Sequence, residues 1–305
     1  MMFAKILVCL DGSELAAQIL PYAKVQAMQF GSEVHLLNVI EKSNKEREGE
    51  RSHEPAMSGY LNKMAEPLRK QDIEVKCETV EGVAAGAILA YADQCEIDLI
   101  AMATQGRSGL KRAVLGSVAG FVLRESGLPV LIIRPRETGA KTTKNAQPIT
   151  KILVCLDGSE LAEQVIPCAT GQALAFQAKL VLFQVVPEPI AYSPGIPGAA
   201  SMPVQTEAML QQAQTDLGLA REYLEGLAAP LRKKGVKVET AAMLGSVGQT
   251  ILNYASRNDV DLITIATHGR SGLKRAVFGS VADYLLRESG LPNLVIRPEQ
   301  SGSGK

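Results

Sequence analysis

The sequence predicts an α/β protein made of two tandem Rossmann-like domains, each with a five-stranded parallel sheet and helices on both faces. Three observations carry that expectation. First, the chain repeats itself: KILVCLDGSELAAQ (Lys5 to Gln18) returns as KILVCLDGSELAEQ (Lys151 to Gln164), and RESGLP (Arg124 to Pro129) returns at Arg287 to Pro292. Second, each copy opens on KILVCL, a short continuous apolar run suited to a strand buried on both faces. Third, apolar runs and helical spacing alternate in the order β-α-β-α-β-α-β-α-β, which implies a parallel sheet covered on both sides.

Each element follows from local chemistry. After KILVCL, the segment DGSELAAQILPYAKVQAMQFG has helical spacing, with Ser13 as N-cap and Gly31 as stop. EVHLLNVI is strand two. MSGYLNKMAEPLRKQ reads as a helix that Pro67 should kink or interrupt. IEVKCETV alternates as strand three, VAAGAILAYADQC is a helix, and IDLIAMAT is strand four. A Gly-rich loop follows, then a helix from about Ser117 and a closing strand, LPVLIIRP. The repeat offset grows from 146 to 163 residues, so 17 extra residues enter the second copy. The copies differ most after strand two. Residues 41–57 carry the charge-dense EKSNKEREGERSHEP and residues 187–203 the Pro- and Gly-rich PEPIAYSPGIPGAASMP, both read as long surface loops. RETGAKTTKNAQPIT has no apolar periodicity and reads as a linker. The expected organisation is therefore a first domain over 1–136, a linker over 137–149 and a second domain over 150–298.

Composition narrows the function. The 305 residues suffice for two ordinary domains, and 46% apolar with 21% charged residues suits a globular chain. Lys plus Arg equals Asp plus Glu, at 32 each, which argues against a general nucleic-acid binder. No apolar run reaches the roughly 18 residues of a membrane helix. The opening MMFAKILVCLDGSE is interrupted by Asp11 and Glu14, so a signal peptide is not expected and the cytoplasm is. Five scattered cysteines without a CxxC suggest neither a disulfide framework nor a zinc site. Cys9 and Cys155 sit inside apolar runs and read as core.

The chemistry concentrates in a repeated loop, ATQGRSGLKRAVLGSVA at Ala103 to Ala119 and ATHGRSGLKRAVFGSVA at Ala266 to Ala282. Gly106 and Gly109 permit close backbone approach, and successive N–H groups can form an anion-holding nest. Gly116 and Ser117 then open a helix whose first N–H groups and positive dipole end face the same anion. Arg107, Lys111 and Arg112 add charge. The same parts recur as Gly269, Arg270, Gly272, Lys274, Arg275, Gly279 and Ser280. The spacing is neither a P-loop nor a dinucleotide fingerprint. Open parallel sheets bind ligands beyond the carboxyl ends of their strands, which should bring Asp11 at the end of strand one to this loop after strand four. Two plainer readings stand beside these. The loop can be a tight turn with Ser117 as a simple N-cap. Asp11 and Asp157 can be Asx-turn formers rather than ligand acceptors. Val39 and Val185, near the end of strand two, can offer backbone groups to a base or can be core.

These motifs resemble the universal stress proteins in their tandem two-domain form, on KILVCLDGSELA, the ATxGRSGLKRAVxGSVA loop, and the closing RESGLPVLIIRP and RESGLPNLVIRP. The resemblance covers both halves. It implies an adenine nucleotide alpha hydrolase-like fold with strand order 3-2-1-4-5, and ATP binding, with Mg, through a G-x-x-G, nine residues, G-[ST] pattern. The pattern's first glycine falls on Ala103 and Ala266, a departure in both copies. The nucleotide contacts so implied are Asp11, Val39, Gly106, Arg107, Gly109, Gly116, Ser117 and Val118, then Asp157, Val185, Gly269, Arg270, Gly272, Gly279, Ser280 and Val281. Family members pair through their last strands, so VLIIRP and NLVIRP imply an intramolecular pseudo-dimer, with a further homodimer open. The expected function is a nucleotide-responsive stress protein, with weak ATPase or ligand-free scaffold as alternatives. No dedicated catalytic residue stands out, and His268, at the loop mouth, reads as an ordinary loop residue.

Overall fold

The computed structural model describes residues 2–41, 53–106, 115–135, 148–189, 191–192, 203–204, 206–267 and 279–298. The first half runs β1 (Lys5–Cys9), α1 (Glu14–Ala17), α2 (Leu20–Phe30), β2 (Glu33–Ile40), α3 (His53–Arg69), β3 (Val75–Glu81), α4 (Ala84–Gln94), β4 (Leu99–Ala103), α5 (Ser117–Glu125) and β5 (Val130–Ile133). The second half runs β6 (Lys151–Leu156), α6 (Glu160–Glu163), α7 (Ile166–Phe176), β7 (Lys179–Val186), β8 (Ala191–Tyr192), β9 (Pro203–Val204), α8 (Glu207–Lys233), β10 (Val238–Leu244), α9 (Val247–Arg257), β11 (Leu262–Ala266), α10 (Ser280–Glu288) and β12 (Asn293–Ile296). The alternation read from the sequence is there in both copies.

Four local details differ from expectation, the first being that α3 begins at His53, inside the 41–57 stretch read as a loop. The first helix of each half breaks in two. Pro21 has no N–H to give the carbonyl of Ala17, and the ladder there tightens to i→i−3 bonds, Gln18 to Leu15 and Ile19 to Ala16. Pro67 does not interrupt its helix, which runs on to Arg69, because a proline in the last turn removes little of the ladder. The stretch 187–203 is not all loop: Ala191–Tyr192 pairs antiparallel with Pro203–Val204.

Within each half the strands pair in parallel as 3-2-1-4-5. The two sheets then join into one, in the order β10-β7-β6-β11-β12-β5-β4-β1-β2-β3. The join is antiparallel, with Asn293 opposite Ile132, Leu294 opposite Leu131 and Val295 opposite Val130. The closing strands thus cover each other's edges and leave the charged β3 and the equally long β10 at the rims, a sound way to manage exposed ladders. Leu131, Ile132, Leu294 and Val295 are at most 1% exposed.

The core lies on both faces of this sheet. One apolar cluster, including Ile6, Val8, Leu36 and their counterparts Ile152, Val154 and Leu182, packs under α2, α3, α7 and α8 and is continuous across the two halves. The other, including Leu7, Leu37, Val122 and Leu285, packs under α4, α5, α9 and α10. Buried Gln172 donates to Gln26 at 2.9 Å where α2 meets α7, and Phe30 meets Phe176 edge-on at 5.9 Å. No helix among the described residues is long and apolar enough to cross a membrane.

Candidate functional site

Asp11 follows the buried end of β1. Its Oδ1 accepts hydrogen bonds from the Ser13 N–H at 3.0 Å and the Ser13 hydroxyl at 2.6 Å. Ser13 Oγ in turn accepts from the Ala16 N–H at 3.1 Å and caps α1. Gly12 holds the turn with a φ of 85°, a conformation glycine tolerates best. So Asp11 does make the expected Asx turn. Its other oxygen looks the opposite way. A Cβ added to Gly106 would lie 1.9 Å from Asp11 Oδ2, so strand one's carboxylate and strand four's loop do meet.

The loop's two ends are tied at Thr104. Its N–H donates to the Ile133 carbonyl at 2.8 Å, and its carbonyl accepts the Gly116 N–H at 2.8 Å. A Cβ at residue 116 would come within 2.7 Å of that same carbonyl, which is why glycine stands there. Gly116 is the N-cap of α5 and has no side chain to cap with. Ser117 is therefore not the cap the plainer reading supposed. It is the first helical residue, and it is exposed. The first turn of α5 keeps N–H groups without intrahelical partners at the rim of the crevice.

The crevice is a cavity of about 580 Å³, a size suited to a small organic ligand. The loop side brings Thr104, Gln105, Gly106, Gly116, Ser117 and Val118. The centre brings Cys9, Leu10 and Asp11 from the β1 end. The far side brings Asn38, Val39 and Ile40 from β2, Glu41 just past it, Met57 from α3, and Ala84 and Ile88 from α4. Asn38 is buried and donates to the Leu10 carbonyl at 2.8 Å, which fixes the wall between β1 and β2. Val39 is half-buried and lines the cavity. Ala103 is the last residue of β4, and its side chain belongs to the core cluster under α1, as does that of Ala266. Burial pushes the Cys9 and Cys155 thiols up to about 12, so both are inert core residues.

The second half repeats the frame. Asp157 Oδ1 accepts from the Ser159 N–H at 3.0 Å and hydroxyl at 2.6 Å, and the Thr267 carbonyl accepts the Gly279 N–H at 2.8 Å. Gly279 caps α10, Ser280 is exposed and Val281 half-buried, while Val185 is 7% exposed in the core. Arg107, Gly109, Lys111, Arg112, His268, Gly269, Arg270, Gly272, Lys274 and Arg275 lie outside the described residues. Sequence reasoning passed over Thr104, Asn38, Glu41, Met57 and Ala84. Only Asn38 carried a signal, as a polar residue between the apolar pairs Leu36–Leu37 and Val39–Ile40 of strand two.

The sequence profile of the universal stress protein family matches residues 2–134 and again 148–297. The chain belongs to the universal stress protein family. It is similar over its length to a universal stress protein from Synechocystis, Slr1230, at 26% identity, covering 96% of this chain and 99% of that one. Universal stress protein YxiE of Bacillus subtilis is 30% identical over 147 residues, 48% of this chain and 98% of that one, as expected of a single-domain member. Among solved structures, protein PA1789 from Pseudomonas aeruginosa superposes with a TM-score of 0.66 at 22% identity, over 97% of this chain and 93% of that one. A universal stress protein from Archaeoglobus fulgidus does so at 0.66 and 18%, over 97% and 99%. At these identities the structures speak for the fold, the tandem universal stress protein arrangement described above.

Proposed function

We propose that this universal stress protein binds ATP, with Mg, in one or both halves and acts as a cytoplasmic nucleotide-responsive regulator rather than a dedicated enzyme. The observation that carries the reading is the crevice itself: a 580 Å³ cavity with a glycine-stapled loop and a helix N-terminus at one side and a mostly apolar wall at the other. A triphosphate suits the first, since unpaired N–H groups and the helix dipole favour anions. A base suits the second. Asp11 Oδ2, between them, is an acceptor in reach of ribose hydroxyls. Among the described residues no three carboxylate, histidine or cysteine side chains cluster to hold a metal alone. Magnesium here would therefore take ligands from the triphosphate, with the Ser117 hydroxyl beside it, in keeping with its preference for oxygen and retained water. Asp11 Oδ1 is already an acceptor in the turn, which suits a ligand-holding carboxylate better than a general base. The domain boundaries that go with this reading are 1–136 and 150–298, joined by the segment 137–149.

The test is calorimetric titration of stripped protein with Mg-ATP, beside the double variant Gly116→Val and Gly279→Val. Valine at 116 would press on the Thr104 carbonyl that staples its loop, and Gly279 donates to the equivalent Thr267 carbonyl, so binding should vanish while circular dichroism stays native. Unchanged affinity in the double variant would refute the site, and no heat with the parent protein would favour a scaffold without nucleotide.

A further inference from the structure

The residues that line the first crevice have counterparts in the second half that are alike at the loop side and unlike at the far side. Cys9 to Asp11 recur as Cys155 to Asp157, and Gly116 to Ala119 recur in type as Gly279 to Ala282. On the β2 and α4 side the lining changes. Leu37 becomes Phe183, Ala84 becomes Val247, and Glu41 becomes Pro187. The backbone frames still correspond. The Gly82 N–H donates to the Ile40 carbonyl at 3.0 Å, and the Gly245 N–H donates to the Val186 carbonyl at 3.1 Å. Glu41 and Pro187 therefore occupy the same place, one residue past β2 and β7.

In the first half this place holds a carboxylate at the exposed rim of the cavity. Glu41 Oε1 accepts the Ala84 N–H at 3.4 Å, at the first turn of α4. A carboxylate has about four acceptor positions, and this long bond uses one of them. Neighbouring strands stand about 4.8 Å apart, so β2 lies roughly 10 Å from the β4 loop, with β1 between them. That is about the reach of a nucleoside from its 5′-phosphate to the edge of its base. An acceptor there meets a base edge and rejects one that offers no N–H. In the second half a proline stands instead, which has neither carboxylate nor N–H, beside bulkier Phe183 and Val247.

We infer that Glu41 is a specificity-determining residue, which makes the first crevice select a base bearing an exocyclic amino group, while the second crevice, with Pro187 in its place, does not select for that group. The inference rests on the nucleotide reading above and assigns its base selectivity to one half.

The probe pair is ATP and purine riboside triphosphate, which differ only in the 6-amino group, titrated into the full-length chain. The first crevice should prefer ATP by about tenfold or more, the worth of one hydrogen bond to a charged acceptor. Glu41→Ala should reduce that ratio to near one, and Glu41→Gln, which keeps one neutral acceptor, should fall between. With the first crevice disabled by Gly116→Val, any remaining site should bind both probes equally. A preference for ATP that survives Glu41→Ala, or that persists in Gly116→Val, overturns the inference and leaves the nucleotide reading intact. Failure of the parent chain to bind either probe overturns both.

Discussion

The loop-side frames of the two halves are nearly superimposable in chemistry, and the outer strands are not. Asp11 and Asp157 make the same turn to the same distances, 3.0 Å and 2.6 Å. On β2 and β3 the solutions diverge. Glu33 pairs with Lys76 across the strands at 2.5 Å, and at the equivalent place Lys179 pairs with Glu239 at 2.6 Å, with the charges exchanged. In the first half buried His35 lies 2.8 Å from the Tyr91 hydroxyl. In the second half a valine replaces that histidine, and the equivalent Tyr254 stacks on Phe183 with ring centroids 4.4 Å apart. The lesson is about constraint. A turn whose backbone is held by its own side chains and by a neighbouring loop admits few solutions, whereas a strand pair needs only complementary charge and filled volume, and many sequences supply those.

The sharpest way to break the comparison is at the seam that both halves share. Leu131→Ala or Leu294→Ala should destabilise the fold by about 2–5 kcal/mol, because both side chains are fully buried beside a junction with little room to collapse. Chemical denaturation would measure it, and losses under about 1 kcal/mol would mean the halves fold without the seam. Next comes the tyrosine pair. Tyr91→Phe should lower stability by about 1 kcal/mol by taking the partner from Nδ1 of buried His35, while Tyr254→Phe should change little, since its ring rather than its hydroxyl does the packing. Equal losses from both would erase the distinction drawn here.

His35 also gives the first half a pH-sensitive group at a place where the second has Val181. Burial holds its pKa below the ordinary 6.5, against the opposing pull of Glu33, 3.1 Å from Nε2, and with Lys76 and Lys5 adding repulsion. The unfolded chain then binds more protons than the native one, so stability is full above about pH 6.5 and is lost as pH falls through the depressed folded value. His35→Val should flatten that component of a stability profile between pH 7 and 5, and an unaltered slope would remove His35 as its source. The smallest effect is expected at the exchanged charges. Glu239→Gln should cost below about 1 kcal/mol, since the Lys179 pair is half-exposed. Glu33→Gln should matter more, because Glu33 also faces His35.

Much of this was legible in the residues because it is local. The repeat, the strand and helix order, the Asp-Gly-Ser turn and the N-caps Ser13 and Ser159 depend on neighbours a few positions away, and sequence displays those directly. Ser117 misled because glycine's suitability at an N-cap looks the same in sequence as serine's. What set Gly116 there was the Thr104 carbonyl, twelve residues back along the chain. Glu41, Met57 and Ala84 could not be placed at all, since three separate segments bring them to one wall.

The sequence by itself determined that there are two copies of one parallel α/β unit, each with a carboxylate and a glycine loop at strand ends, because apolar period and turn chemistry are written into consecutive residues. Only the tertiary structure decided that the closing strands meet antiparallel in a single sheet. That junction points the carboxyl ends of the two halves in opposite directions, so the two loop frames lie at opposite edges of the sheet. Strand direction across a junction is settled by which edges are left to pair and by the packing of α2 on α7, interactions between residues more than a hundred positions apart that no local pattern records.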